Sequence, residues 1–326
     1  MIPAGFDRSA RLLAGAFFLA LLAGCAGLVP QTMALRDAWP EGVPGRTDIA
    51  DVPFFPQEDY QCGPSALATV LGFSGVKVTP EQLVSKVYLP ERQGSLQAEM
   101  LAAPRTYGRV SYQIEPRFDA LIREVAAGNP VVILQNTAPA LFDNWHYAVV
   151  VGYDYPAGEL YMRSGQKQRE AMPFTILEYT WKKSGYWAMV TLPPDRIPVT
   201  AVEANYVSAI AATERVDKAA AFTAYKTALE RWPDSLGASI GLANQLYAQG
   251  KLKETEAILR HAADRHPDSV VVLNNLAQTL SDEDRNAEAL ALIDRAKAPP
   301  QQFAAAVAET RALIVQRMEK KKSATR

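Results

Sequence analysis

Hydrophobic positions change their spacing several times along the chain, and each change marks an element. An apolar run, Leu12 to Ala23, follows Arg8 and Arg11. Residues 26–47 then carry several prolines and glycines and little periodicity, which reads as a tether. Leu67 to Phe73 continues a helix that begins at Cys62. Thr79-Pro80-Glu81-Gln82 is a helix start, with Thr79 as cap, Pro80 in the first turn and Gln82 placed for a capping box. Ser95 to Tyr107 reads as another helix, and Phe118 to Ala127 as a third, stopped by Gly128-Asn129-Pro130. Strand-like runs follow at Val131–Leu134, His146–Tyr153, Glu159–Arg163 and Tyr186–Thr191. Helices first and consecutive strands later predict an α+β domain with an antiparallel sheet.

Beyond the proline-rich linker Leu192–Pro198 the sequence repeats. Trp232-Pro233-Asp234-Ser235 returns as His266-Pro267-Asp268-Ser269, an offset of 34 residues. Leu242-Ala243 and Leu276-Ala277 share that offset, as do Leu246 and Leu280, Leu259 and Ile293, and Ala262 and Ala296. An earlier unit shows in Ala221, Tyr225 and Ala228. The period resembles the tetratricopeptide repeat, in which helix pairs stack because none buries its apolar face alone. Three repeats are expected over 200–300, followed by a capping helix and a basic tail over 301–326. Asn244, Asn274, Asn275 and Gln278 give the inner helices polar groups suited to a peptide backbone, so a protein partner is expected there.

Charge adds an exclusion. The 326 residues carry a formal charge of -1, so nothing points to nucleic acid. No histidine and cysteine cluster suggests a metal, and no Gly-rich phosphate loop suggests a nucleotide, so no cofactor is expected.

The two cysteines carry the chemistry. The run Leu12–Ala23 is too short for a membrane span of ~20 residues and suits a signal-peptide core. Leu22-Ala23-Gly24-Cys25 resembles the bacterial lipoprotein box. The resemblance implies a signal over 1–24, lipidation of Cys25 and membrane attachment through it. Ala26, rather than an aspartate, implies the outer membrane, facing the periplasm. Cys62 then has no intrachain disulfide partner, and a reactive role becomes the better reading. Backbone N–H groups at a helix start are unpaired and favour a thiolate. Gly63 permits close approach and Pro64 suits the first turn. Gln57 lies on the entering loop, where its amide is placed to join the Cys62 N–H as an oxyanion donor. Outside the repeats the one histidine is His146, at a strand start, and it is the candidate base.

Gln57, Cys62-Gly63-Pro64, Tyr107-Gly108 and His146-Tyr147-Ala148-Val149-Val150-Val151-Gly152-Tyr153 together resemble the papain-like, bacteriocin-processing (double-glycine) cysteine peptidases. The resemblance implies a papain-like domain over 48–194, with Cys62 as nucleophile, His146 as base and Gln57 as oxyanion donor. It implies peptide-bond hydrolysis of a peptide or protein substrate through an acyl-enzyme. The family places an aspartate on the returning strand where this chain has Ser164. Asp154, eight residues beyond His146 on one strand, would lie roughly 26 Å away and reads as a turn residue. The expected partner of His146 is therefore neutral, Ser164 or Gln166. A peptide-binding scaffold and an acyl or peptidyl transferase on the same fold are the alternatives.

Overall fold

The computed structural model describes residues 29–57, 61–139, 142–296 and 299–324. The expected signal segment and the lipidation candidate Cys25 lie outside the described residues. Chain contacts divide the protein into two units, the first formed by the chain up to 107 with 111–192 and 198–200, the second by 108–110, 193–197 and 201–326.

The first unit is a sheet with helices on both faces. Its strands are β1 (Arg46–Asp48), β2 (Val110–Gln113), β3 (Val131–Asn136), β4 (Trp145–Asp154), β5 (Glu159–Ser164), β6 (Lys167–Pro173) and β7 (Ala188–Leu192). They lie in the order β2-β7-β3-β4-β5-β6, with β1 also on β4. The β3–β4, β4–β5, β5–β6, β3–β7 and β1–β4 pairs are antiparallel. Gly152 allows the β1 contact, because a Cβ there would sit 2.6 Å from the Thr47 carbonyl.

Strand alternation separates the two faces. Val132, Leu134, Tyr147, Val149 and Val151 meet helix α2 (Cys62–Phe73), α3 (Pro80–Val87) and α4 (Gln97–Ala102). Val131, Ile133, Ala148 and Val150 are buried on the opposite side, where α5 (Phe118–Ala126) and α6 (Phe174–Trp181) pack. There Phe118 meets Phe174 and Trp181 edge-on, with ring centroids 5.3 and 5.9 Å apart. The helix expected over Ser95–Tyr107 is shorter, α-helical only over Gln97–Ala102 and 3-10 from Ala103 to Tyr107. Pro104 explains the change, since it lacks an N–H and crowds the preceding turn.

The tether expected over 25–47 is overturned from Pro30 onward. Pro30–Asp37 is a helix, α1, with Thr32 and Leu35 buried, and Arg46–Asp48 is a strand. Its opening N–H groups find a partner that no local pattern reveals. Gln31 N and Thr32 N donate to the two oxygens of Glu178, at 2.9 and 2.6 Å, and Glu178 is fully buried in α6. Gln31 returns the favour to α5, its Oε1 accepting from Phe118 N at 2.5 Å. Trp39 then stacks on Tyr155 at 4.2 Å.

The second unit is helical: α7 (Glu203–Glu214), α8 (Lys218–Arg231), α9 (Leu236–Ala248), α10 (Leu252–Arg265), α11 (Val270–Asp282), α12 (Asn286–Ile293) and α13 (Gln301–Ala324). Ser235 and Ser269 end the repeated tetrapeptide, and each caps the next helix by accepting from Ala238 N or Val272 N. Arg285, Arg260 and Lys253 gather on Glu256; burial alone would raise its carboxyl, and these cations instead hold it down at about 2. The basic end of α13 is pinned: Arg317 reaches Ser281 and Asp282, and Lys321 pairs with Asp284. Asn275 donates to Asn244 at 3.1 Å, and Gln278 donates to Asp282, so the polar inner face is partly self-paired.

The Glu178 clamp yields a test. Glu178→Gln keeps one acceptor but turns a donor toward the two N–H groups, which should destabilise the domain by ~1–3 kcal/mol. Urea unfolding with limited proteolysis of residues 38–45 measures it. An unchanged midpoint and unchanged cleavage would reject the clamp.

Candidate active site

Helix α2 begins at Cys62 without a side-chain cap on Gln61, so its first-turn N–H groups remain available. The backbone N–H groups of Tyr147, Gly63 and Cys62 itself act on the Cys62 sulfur and favour its charged form. Tyr147 directly follows His146 on β4, which ties the thiol to the strand that carries the candidate base. Gly63 is required by packing: a Cβ there would lie 2.3 Å from Ser95 Oγ. Tyr147 Oη holds that neighbouring segment by donating to Ser95 O at 3.2 Å.

His146 Nε2 lies 3.1 Å from Ser164 Oγ at the end of β5. The bond leaves Nδ1 as the ring nitrogen for proton exchange with a thiol. Gln166, the other residue weighed as an orienter, is not brought to the imidazole; its Nε2 donates to Gln57 O at 2.6 Å. The β5–β6 turn faces Gln166 toward the entering loop instead. Asp154 ends β4 far along the strand, accepting from Ala157 N at 3.0 Å and pairing with Arg46 at 2.9 Å.

Gln57 is held by both ends of its amide. Its Oε1 accepts from Gly165 N at 3.1 Å and its Nε2 donates to Tyr147 O at 3.3 Å. Both partners are backbone groups of fixed polarity, so the amide has one orientation only. One N–H of the amide remains for a substrate oxygen. Gln57, Cys62, His146 and Tyr147 line one cleft of about 1000 Å³, together with Ser95, Leu96, Leu134 and Trp145. Leu96 and Trp145 are large apolar side chains left exposed at its rim. Among the described residues no group of side chains is arranged to hold a metal.

Electrostatics depart from the expectation of an easily ionised thiol. Burial pushes Cys62 above its ordinary value, more strongly than the N–H groups of Tyr147, Gly63 and Cys62 pull it down. Burial likewise lowers His146, and the charge of Glu170 opposes that only in part. Desolvation disfavours both charged forms, so the thiol and the imidazole on this cleft both favour their neutral forms. Sequence reasoning missed Glu170, which pairs with Met162 across the β5–β6 ladder and whose charge acts on His146. Its strand, Lys167–Pro173, is rich in charge, and only the half-burial of residues 170 and 172 shows the alternation of a strand.

A raised thiol and a lowered imidazole set the sign of a pH experiment. Alkylation of Cys62 by iodoacetamide should climb continuously with pH, with a half-point above that of a free thiol. A fast plateau extending below ~pH 6 would reveal a preformed thiolate–imidazolium pair and reject this assignment.

Residues 49–189 match the family described as Peptidase_C39 like family, and residues 246–314 match the tetratricopeptide repeat. A protein described as a C39-like peptidase from Bacillus anthracis is 20% identical, with a TM-score of 0.38, over 45% of this chain and 97% of that one. A double-glycine-motif protease from an AMS/PCAT transporter, solved with the leader peptide, is 22% identical, with a TM-score of 0.34, over 44% of this chain and 91% of that one. No curated protein matches. The chain carries an antiparallel-sheet α+β domain that matches the C39-like peptidase family model, followed by a helical region with tetratricopeptide repeats.

Proposed function

We propose that the first domain is a cysteine peptidase that cleaves peptide bonds through a Cys62 thioester. Nδ1 of His146 takes the thiol proton as the sulfur attacks the scissile carbonyl. The oxyanion is received by the Cys62 N–H and the unused N–H of Gln57. His146 then gives the proton to the leaving amine. Water, deprotonated by the same imidazole, releases the acyl group. Support comes chiefly from the shared cleft, in which Cys62, His146 and Gln57 all take part, with Gln57 bonded to the Tyr147 carbonyl beside His146. The cleft's size and apolar rim suit an extended peptide.

Mixed peptide substrates analysed by mass spectrometry, with the full chain as enzyme, test this reading. Cys62→Ala should abolish cleavage, and His146→Ala should slow it by about 10²-fold or more. Products ending in new carboxylates mean hydrolysis, whereas products joined to amines mean a transferase. Equal peptide binding by wild type and Cys62→Ala, without turnover in either, would leave a binding scaffold. The neutral thiol and imidazole give that last reading its weight.

The run Leu22-Ala23-Gly24-Cys25 supports lipid attachment at Cys25 and a place at the outer membrane, with the repeats binding substrate or a partner protein. Among the described residues no helix is long and apolar enough to cross a membrane. Metabolic labelling with a fatty acid should mark the wild-type chain and not Cys25→Ser. An unlabelled wild-type chain would reject the anchor.

A further inference from the structure

We propose that Glu170 is the acid of this site and that it acts on His146 through the hydroxyl of Ser164. This rests on the reading of His146 as base. The strand that should carry an acid, β5, ends instead in Ser164. The next strand supplies the charge, and a register irregularity decides which residue supplies it.

In the β5–β6 pair Ser164 faces Lys167. Regular antiparallel pairing would then set Met162 opposite Arg169. The observed partner of Met162 is Glu170, because one extra residue on β6 is accommodated between the two pairs. A one-residue slip exchanges the faces of a strand. Glu170 therefore shares the face of Met162 and Ser164, while Arg169 lies over the Tyr161 ring at 3.5 Å and binds Asp48. Without the extra residue a guanidinium, not a carboxylate, would stand behind the histidine.

Donor and acceptor roles then run one way. An ionised carboxylate only accepts, and a serine has one proton to give. With Glu170 on the face of Ser164, the hydroxyl is placed to give its proton to the carboxylate, and toward His146 it then offers a lone pair. Nε2 must carry the ring proton and Nδ1 the lone pair, which is the tautomer that can accept a proton from Cys62. When it does, the imidazolium keeps both protons, Ser164 keeps its own, and Glu170 remains ionised. Lys167 holds Glu170 Oε1 at 2.8 Å, but its side chain is 68% exposed and the pair is screened by water.

Other ionisable groups at the site are Cys62 of α2, Glu99 of α4, Tyr147 of β4, Lys167 of β6, and Arg92, Asp143 and Lys183 around the cleft. The charge acting on His146 is that of Glu170. Glu170 is a positioning residue, set to act on the hydroxyl rather than on a substrate.

The test uses the full chain labelled with ¹⁵N-histidine, in which loss of the signal in His146→Ala identifies His146 among the three histidines. Wild type should show the Nε2–H tautomer. Glu170→Gln should mix the tautomers, lower the His146 titration point and slow Cys62 alkylation at pH 7 by ~tenfold. Ser164→Ala should do the same, and adding Glu170→Gln to it should change the rate by less than about twofold, because the link is already cut. Glu170→Asp should retain the wild-type tautomer, which separates the role of charge from loss of fold. An unchanged imidazole in Glu170→Gln, or an equal effect with and without Ser164, would overturn the relay. The tautomer readout needs no substrate. An enzyme that cleaves nothing would defeat the peptidase reading alone, and an active enzyme with an indifferent imidazole would defeat the relay alone.

Discussion

Helix Cys62–Phe73 is apolar almost all round and buries every residue from Gly63 to Leu71. Such a helix has no solvent face and must lie between the β3–β4 surface and the neighbouring helices. That burial fixes the depth of its first residue. Cys62 sits where the layer meets the cleft, with Tyr147 N–H of the strand and the N–H groups of its own first turn acting on its sulfur. Ser95 can pack against Gly63 only because no Cβ stands there. Gln57 then links the entering loop to the β5–β6 turn and to the Tyr147 carbonyl. Loop, helix and strand end are fastened to one another around a single sulfur.

The same burial opposes ionisation. A helix start favours a thiolate, yet here desolvation is the larger effect for Cys62, and it also holds His146 neutral. Activation must therefore come at the moment of proton transfer, from groups that stabilise charge as it forms. In the proposed reaction backbone N–H groups and a fixed amide would meet the oxyanion, while Ser164 on Nε2 would steady the ring.

The helical region obeys a simpler rule. Small buried residues such as Ala221, Ala224 and Ala228 let helices approach, and the Pro-Asp-Ser turns restart them. Stacking exposes the ends, and Gln301–Ala324 covers the last of them through Arg317 and Lys321.

Local pattern was enough for much of this protein. A continuous apolar run demanded the buried helix at Cys62, a 34-residue period demanded stacked helix pairs, and a cysteine at a helix start with one histidine at a strand start marked the cleft. Those features are set by neighbours in the chain, through periodicity and capping. Other features arose from tertiary contacts and strand pairing. Pro30–Asp37 is a helix because Glu178 meets its N–H groups, and no pattern near Pro30 announces a carboxylate from α6. Gln166 and Ser164 are equivalent as sequence candidates, and the turn between β5 and β6 sent one to Gln57 and the other to His146. Glu170 reached the histidine's side of the sheet through one extra residue in β6, a shift of register that depends on the paired strand and not on either strand alone. Periodicity specifies which residues share a face, but the identity of the residue across the sheet is a property of pairing, and pairing exists only in the folded chain.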